Sequence, residues 1–195
     1  MVVFLLLAGS TSASAQTEYF ARLGAVGASN LLRDVIGDEI TVRQSIAPML
    51  ALGASLPIGQ RGYRVGFEGT IASGKFHSSE ASVETDLGTL RTGSLMLQLE
   101  GPIVPSFRWR AGIGGLDYWP KDKVGIFLQG GKARFLAGAG VDYRRPIGEA
   151  WDLMTSVRYD FHRFTTDELD FRGFSQTQGV SRVSLSVGLS RRAAR

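Results

Sequence analysis

The chain has 195 residues, of which 44% are hydrophobic, with 22 Lys and Arg set against 18 Asp and Glu. That length suits one domain, or one domain with a small appendage. Without cysteine it can hold no disulfide, zinc-thiolate site or thiol nucleophile, and no run approaches the ~18 consecutive apolar residues of a membrane-spanning helix. The formal charge of +4 is spread along the chain rather than gathered in a basic run, which argues against a nucleic-acid partner. Glycine, at 25 residues, is nearly twice as frequent as the ~7% of typical proteins. In a β-rich chain this signals tight turns and close strand approach.

Val2 to Ala8 form a short apolar segment that ends in the small, polar stretch Gly9 to Ala15. Ala13-Ser14-Ala15 has the small-x-small pattern of a secretory cleavage site. Residues 1–15 therefore read as a signal peptide, and 16–195 as a single domain starting at Gln16. No Lys or Arg precedes the apolar segment.

Beyond Gln16, Tyr19, Tyr63, Phe107 and Trp151 stand at equal intervals, each 44 residues after the last. Pro57, Pro102 and Pro146 keep nearly the same rhythm, in similar neighbourhoods. A fixed period argues for a repeated supersecondary unit. Within each unit the local period is two: Tyr63, Val65, Phe67, Gly69 and Ile71 alternate with Arg64, Gly66, Glu68 and Thr70, and Trp151 to His162 and Val183 to Ser190 behave alike. Such alternation puts one set of side chains on each face of a strand.

The predicted strands are 17–28, 43–57, 61–72, 87–101, 106–118, 132–145, 150–163 and 179–190. Short turns near 57–62, 102–105 and 146–149 alternate with connections of about a dozen residues at 29–42, 73–86, 119–131 and 164–178. An even number of long strands joined in this way describes an all-β, eight-stranded antiparallel up-and-down transmembrane β-barrel. Propeller blades would need four shorter strands per repeat.

In such a barrel the apolar face meets lipid and the polar face lines the lumen. Tyr19, Tyr63, Phe107, Trp109 and Trp151 then form an aromatic girdle beside the short turns, and Tyr118, Trp119, Phe161 and Phe164 a second one near the long loops. The inward set is Arg22, Arg64, Glu68, Glu100, Arg108, Arg110, Arg134, Asp142, Arg144, Asp152, Arg158, Asp160 and Arg182. An eight-stranded barrel is just wide enough to be filled by side chains, so these charges are expected to pair and plug the lumen.

These residues resemble the outer-membrane β-barrel superfamily of Gram-negative bacteria, in particular the small barrels like OmpX and the transmembrane domain of OmpA. The likeness is architectural, spans nearly all of the chain after Gln16, and includes a final strand, Val183 to Arg192, similar to the family's C-terminal insertion signal. The chain departs from the family's usual terminal aromatic, ending Arg192-Ala193-Ala194-Arg195. The resemblance implies outer-membrane lipid or lipopolysaccharide as surroundings, the barrel-assembly machinery as a partner during insertion, and a monomer.

Chemistry is sparse. His77-Ser78-Ser79 has a His-x-Ser spacing that resembles outer-membrane phospholipases and lipid A deacylases, and residues two apart on a strand could form a base–nucleophile dyad. The pair falls in or beside a Ser-rich stretch with Glu80 and Glu84 nearby, so a polar extracellular loop is the expected account. His162 follows Arg158 and Asp160 on the inward face as a lumen histidine. Ala137-Gly138-Ala139-Gly140 lies within a strand, which excludes a dinucleotide loop, and no cofactor or metal is expected. The expected role is structural or interactive. Its rivals are a narrow channel or carrier for small hydrophobic molecules, as in OmpW-like barrels, a lipid hydrolase, and an exported lipocalin-type barrel.

Overall fold

A computed structural model describes residues 17–36, 38–59, 61–80, 83–122, 124–128, 133–171 and 178–191. The segment 1–15, expected from the sequence to be a signal peptide, together with Gln16, Gly130, Gly131 and the terminal Arg192 to Arg195, lies outside the described residues.

The alternating runs form strands throughout: β1 (Glu18–Ala28), β2 (Leu32–Ile36), β3 (Asp38–Gln44), β4 (Ala47–Ile58), β5 (Tyr63–Glu80), β6 (Val83–Val104), β7 (Phe107–Pro120), β8 (Arg134–Pro146), β9 (Trp151–Phe164) and β10 (Gln178–Arg191). Eight of them close a ring. β1 pairs with β10 on one side and β4 on the other, and β4 to β10 follow in antiparallel order. Closure leaves no unpaired strand edge where the wall meets lipid, as the bilayer interior demands of any β structure. The turns at one end are short. Pro105 and Ser106 alone connect β6 to β7, and Gly59 and Gly62 take positive φ between β4 and β5, a conformation that costs glycine nothing.

The opposite end differs from expectation. The stretch 29–42, expected as a loop, contains β2 and β3, which pair with each other from Leu32↔Val42 to Ile36↔Asp38. Likewise 73–86 is not a loop: β5 and β6 continue as a paired hairpin to Glu80↔Val83, with one register shift between Lys75 and His77. β3 packs against this extension, from Gln44↔Phe76 to Ile40↔Glu80. A four-stranded sheet β2-β3-β5-β6 thus rises from one side of the ring. Its exposed surface is polar and cross-linked by charge: Arg43 contacts Glu84 at 3.1 Å and Lys75 contacts Asp86 at 3.1 Å. Alternating hydrophobicity is a membrane or core signal, and a hairpin wetted on its surface does not need it.

β2 is also tied to β10. The Gln178 amide accepts from the Arg33 backbone N–H at 2.7 Å and donates to the Arg33 carbonyl at 2.5 Å. Between β7 and β8 lies a 3-10 turn (Gly125–Phe127), and between β9 and β10 a short helix α1 (Asp167–Phe171). Among the described residues no helix is long and apolar enough to cross a membrane, which bears on helices alone.

Candidate functional site

Strand parity divides the side chains into a lumen and an outer wall, and the lumen is filled in two layers of opposite character. The layer near the short turns is ionic. At its centre the Glu68 carboxylate contacts Arg22, Arg158 and, at 2.8 Å, Arg110, drawn from β1, β9 and β7. Asp142 on β8 lies 3.3 Å from Arg110 Nε and 3.4 Å from Arg22 Nη1, and Asp160 accepts from Arg158 Nε at 2.9 Å. Three guanidiniums and three carboxylates thus meet with almost no solvent access; the side chains of Arg22 and Glu68 are each 1% exposed. Such a cluster persists only because each charge is paired, as an isolated buried ion costs several kcal/mol. Glycine makes the room: a side chain at Gly138 would collide with the Asp160 carboxylate, and one at Gly140 would crowd Arg110.

Below this cluster a second ionic tier seals the short-turn end. Arg144 contacts Glu18 and Glu100, the latter at 3.1 Å. Arg108 lies 3.8 Å from Glu100, and Arg64 lies 3.6 Å from Glu18 and donates to Ser55 Oγ at 2.9 Å. Arg182, on the far side, donates to Thr92 Oγ1 at 3.2 Å, and Arg134 to the Thr165 carbonyl at 2.7 Å. Asp152 is buried on the inward face of β9. All thirteen of the inward residues named from the sequence therefore share the lumen. Glu18 was missing from that set, although it has the parity of Arg22 four residues on. Its position at the very start of a strand hid it.

The layer near the long loops is apolar. Leu32, Val42, Phe76, Leu90, Leu116, Tyr118, Leu136, Phe164 and Val180 pack inside the barrel mouth. Two residues from the connections close it from above: Phe127 of the 3-10 turn, fully buried, and Leu169 of α1. The Phe127 ring meets Phe76 edge-on at 5.6 Å and Phe164 at 6.0 Å, geometries that aromatic pairs favour. Thr166 fastens the two connections together, its hydroxyl donating to the Ile126 carbonyl at 2.6 Å. Between the layers, the Tyr118 hydroxyl and His162 Nε2 are 2.6 Å apart, which places His162 in the lumen with Nε2 partnered and Nδ1 buried without a hydrogen-bond partner among the described residues.

Tyr118 and Phe164 require a correction. The sequence places them in the outer girdle, but they are 2% and 1% exposed inside the lumen. Both are even-numbered on strands whose even residues face inward, so parity outranks mere closeness to a loop. Trp119 and Phe161, odd-numbered on the same strands, do face outward, as do Tyr19, Tyr63, Phe107 and Trp151. Trp109 on this wall lies against Tyr63, ring centres 6.3 Å apart. Trp109 and Trp119 also reach over Gly101 and Gly93, occupying the space a side chain would take. From Trp109 to Trp119 is ten residues, which at ~3.3 Å per residue and a tilt near 40° spans about 25 Å, the height of an outer-membrane apolar band. Between these belts Leu23, Leu52, Leu95, Phe135 and Leu185 are half exposed or more. Water would not tolerate a continuous apolar belt of this extent, whereas lipid requires one.

His77 and Ser79 sit on the upper part of β5 rather than in a loop. His77 Nδ1 is 3.8 Å from Glu84, and among the described residues no hydrogen bond joins His77 to Ser79. Nor do three His, Asp or Glu side chains gather as a metal cluster among them.

The closed eight-stranded ring, the apolar outer belt and the filled lumen have the architecture of the small outer-membrane β-barrels. No family model matches the chain, and no curated protein sequence is similar to it. Solved structures agree on the fold. Neisserial surface protein A superposes with a TM-score of 0.57 over 90% of this chain and 96% of that one, at 12% identity. The outer membrane protein OprG from Pseudomonas aeruginosa gives 0.55 over 92% and 96%, at 11% identity. The outer membrane protein AlkL, solved in lipid bilayers, gives 0.58 over 97% and 96%, at 17% identity.

Proposed function

We propose that this chain is an exported outer-membrane protein whose barrel is a sealed scaffold and whose working surface is the sheet and loops standing above the bilayer. In this reading residues 1–15 direct export and are removed, and the barrel-assembly machinery inserts the rest as a monomer. The observation that carries the reading is the double closure of the lumen. An ionic plug centred on Glu68 fills one half and an apolar plug capped by Phe127 and Leu169 fills the other. Most of the side chains named in both layers are buried, whereas the sheet β2-β3-β5-β6 carries the exposed charges Arg43, Lys75, Glu84 and Asp86, suited to contact with another molecule.

The test is planar-bilayer conductance of the refolded full-length protein. No steady openings are expected. Steady openings that vanish in Glu68→Ala or Arg110→Ala would replace the scaffold with a pore. A second reading, a carrier for small hydrophobic molecules, draws support from the apolar upper lumen. Saturable binding of an alkyl fluorophore that is lost in Leu116→Arg, in a protein retaining its heat-modifiable gel mobility, would favour it.

A further inference from the structure

The outer wall is not evenly covered. On its face between β4 and β7, Gly69, Gly93 and Gly115 point outward without side chains, and Trp119 covers only Gly93. At Gly69 and Gly115 an added Cβ would meet nothing nearer than 4.0 and 3.9 Å, so the wall is hollow there. Two adjoining depressions result. One, of ≈470 Å³, is floored by Gly69 and Gly115. The other, of ≈510 Å³, lies toward the loop end and is bordered by Ser73 and Arg91. Leu50, Ile71 and Trp119 belong to both. Each falls within the roughly 300–1,000 Å³ of small-molecule sites, and each opens onto the region occupied by hydrocarbon.

One cation stands at the head of this pair. Arg91 is exposed on the outward face of β6, directly opposite Trp119 on β7 and Ser73 on β5. Trp119 marks the outer interface, so Arg91 lies at headgroup depth. Among the described residues it has no ion pair, whereas the cations above it, Arg43 and Lys75, each have an acidic partner. Asp117, the carboxylate in the lining, is two register pairs deeper, opposite Gly93, and accepts from the Tyr118 backbone N–H at 2.9 Å. A third wall depression, of ≈600 Å³ and bordered by Ala111 and Phe161, has no charged residue in its lining. An apolar double hollow under an unpaired guanidinium is complementary to a molecule with several hydrocarbon chains below a phosphate.

We propose that this face seats one lipid A molecule of the outer leaflet, with acyl chains on either side of Ile71 and a phosphate on Arg91. The inference rests on the reading above in one respect, that the long-loop end faces outward.

Native mass spectrometry of the detergent-solubilised full-length protein, titrated with lipid A or with phosphatidylglycerol, tests it. One lipid A is expected to bind. Arg91→Gln should weaken it about tenfold, the scale of one hydrogen bond to a charged group. Gly69→Leu and Gly115→Leu, whose Cβ atoms meet nothing nearer than 3.9 Å, should weaken it by a similar factor by filling the hollows, whereas Ala111→Leu in the uncharged depression should not. Heat-modifiable gel mobility checks that each variant is folded. Equal retention by folded variants, equal binding of phosphatidylglycerol, or a dimer disrupted by Gly69→Leu would each overturn the proposal. Labelling of Thr85→Cys on intact cells by an impermeant maleimide separates the two readings, since the chain has no other cysteine. Labelling without lipid A binding sinks the lipid site alone, and no labelling sinks the outward orientation and with it both.

Discussion

The two halves of the lumen show that one barrel can be filled by opposite chemistries. The ionic half is built wholly on strands of the ring. Every partner of Glu68 is held by a backbone ladder, so its geometry follows from register. The apolar half is completed by Phe127 and Leu169, which come from the connections. One half is therefore fixed once the ring closes, while the other depends on loops settling afterwards. The difference teaches that polar burial is tolerated where paired strands hold every partner, and that the mouth closed by connections is left to non-directional packing.

The sharpest way to break the comparison is Glu68→Ala. It takes the shared carboxylate from three arginines and leaves them only Asp142 and Asp160, and losing one partner of a buried ionic cluster costs about 3–5 kcal/mol. A correspondingly lower urea midpoint for unfolding from lipid vesicles is expected. An unchanged midpoint would mean that water already solvates the cluster. Next comes Phe127→Ala, expected to cost about 3 kcal/mol, the low end for an aromatic truncation because a connection can relax into the space. It should loosen the mouth selectively, so amide exchange should quicken around Phe164 and Val180 and hold steady around Asp142. Uniform quickening would show that the halves are coupled.

The smallest effect lies outside the barrel. The Asp86 carboxylate is held below its ordinary value of 3.8, first by the Gly88 backbone N–H at 2.8 Å and then by Lys75. A depressed folded-state value means that the group stabilises the hairpin above the unfolded value, and that this contribution fades as pH falls through the folded one. The Gly88 amide resonance should therefore titrate with a midpoint below 3.8, and the transition should vanish in Asp86→Asn.

Eight ring strands, their order and the charged residues of the ionic layer apart from Glu18 were legible in the sequence because lipid on one side imposes a period of two. That constraint ends at the membrane surface. Ser78, Ser79, Thr85 and Glu84 form strands without an apolar alternation to announce them, so β2, most of β3, β5 beyond Ala72 and the first four residues of β6 read as loops. The apolar layer was missed for a related reason. Leu90, Leu116 and Leu136 carry the same side chain on the inward face that Leu95 and Leu97 carry on the outward one. Composition cannot separate them, and only counting parity from a fixed point such as Arg110 does. The wall depressions are absences of side chains, which a single sequence shows only as glycine.

Closing the ring removes every free strand edge inside the bilayer, but the sheet above it opens one again along β2. Neighbouring copies in a membrane are all oriented alike and confined to a plane, conditions that favour edge-to-edge zippering between them. The Gln178 side chain stands where the first residue of an invading strand would lie, answering both polar groups of Arg33 with a single primary amide. One glutamine thereby occupies the rim of the exposed sheet at Arg33, where it would hinder a second strand from pairing.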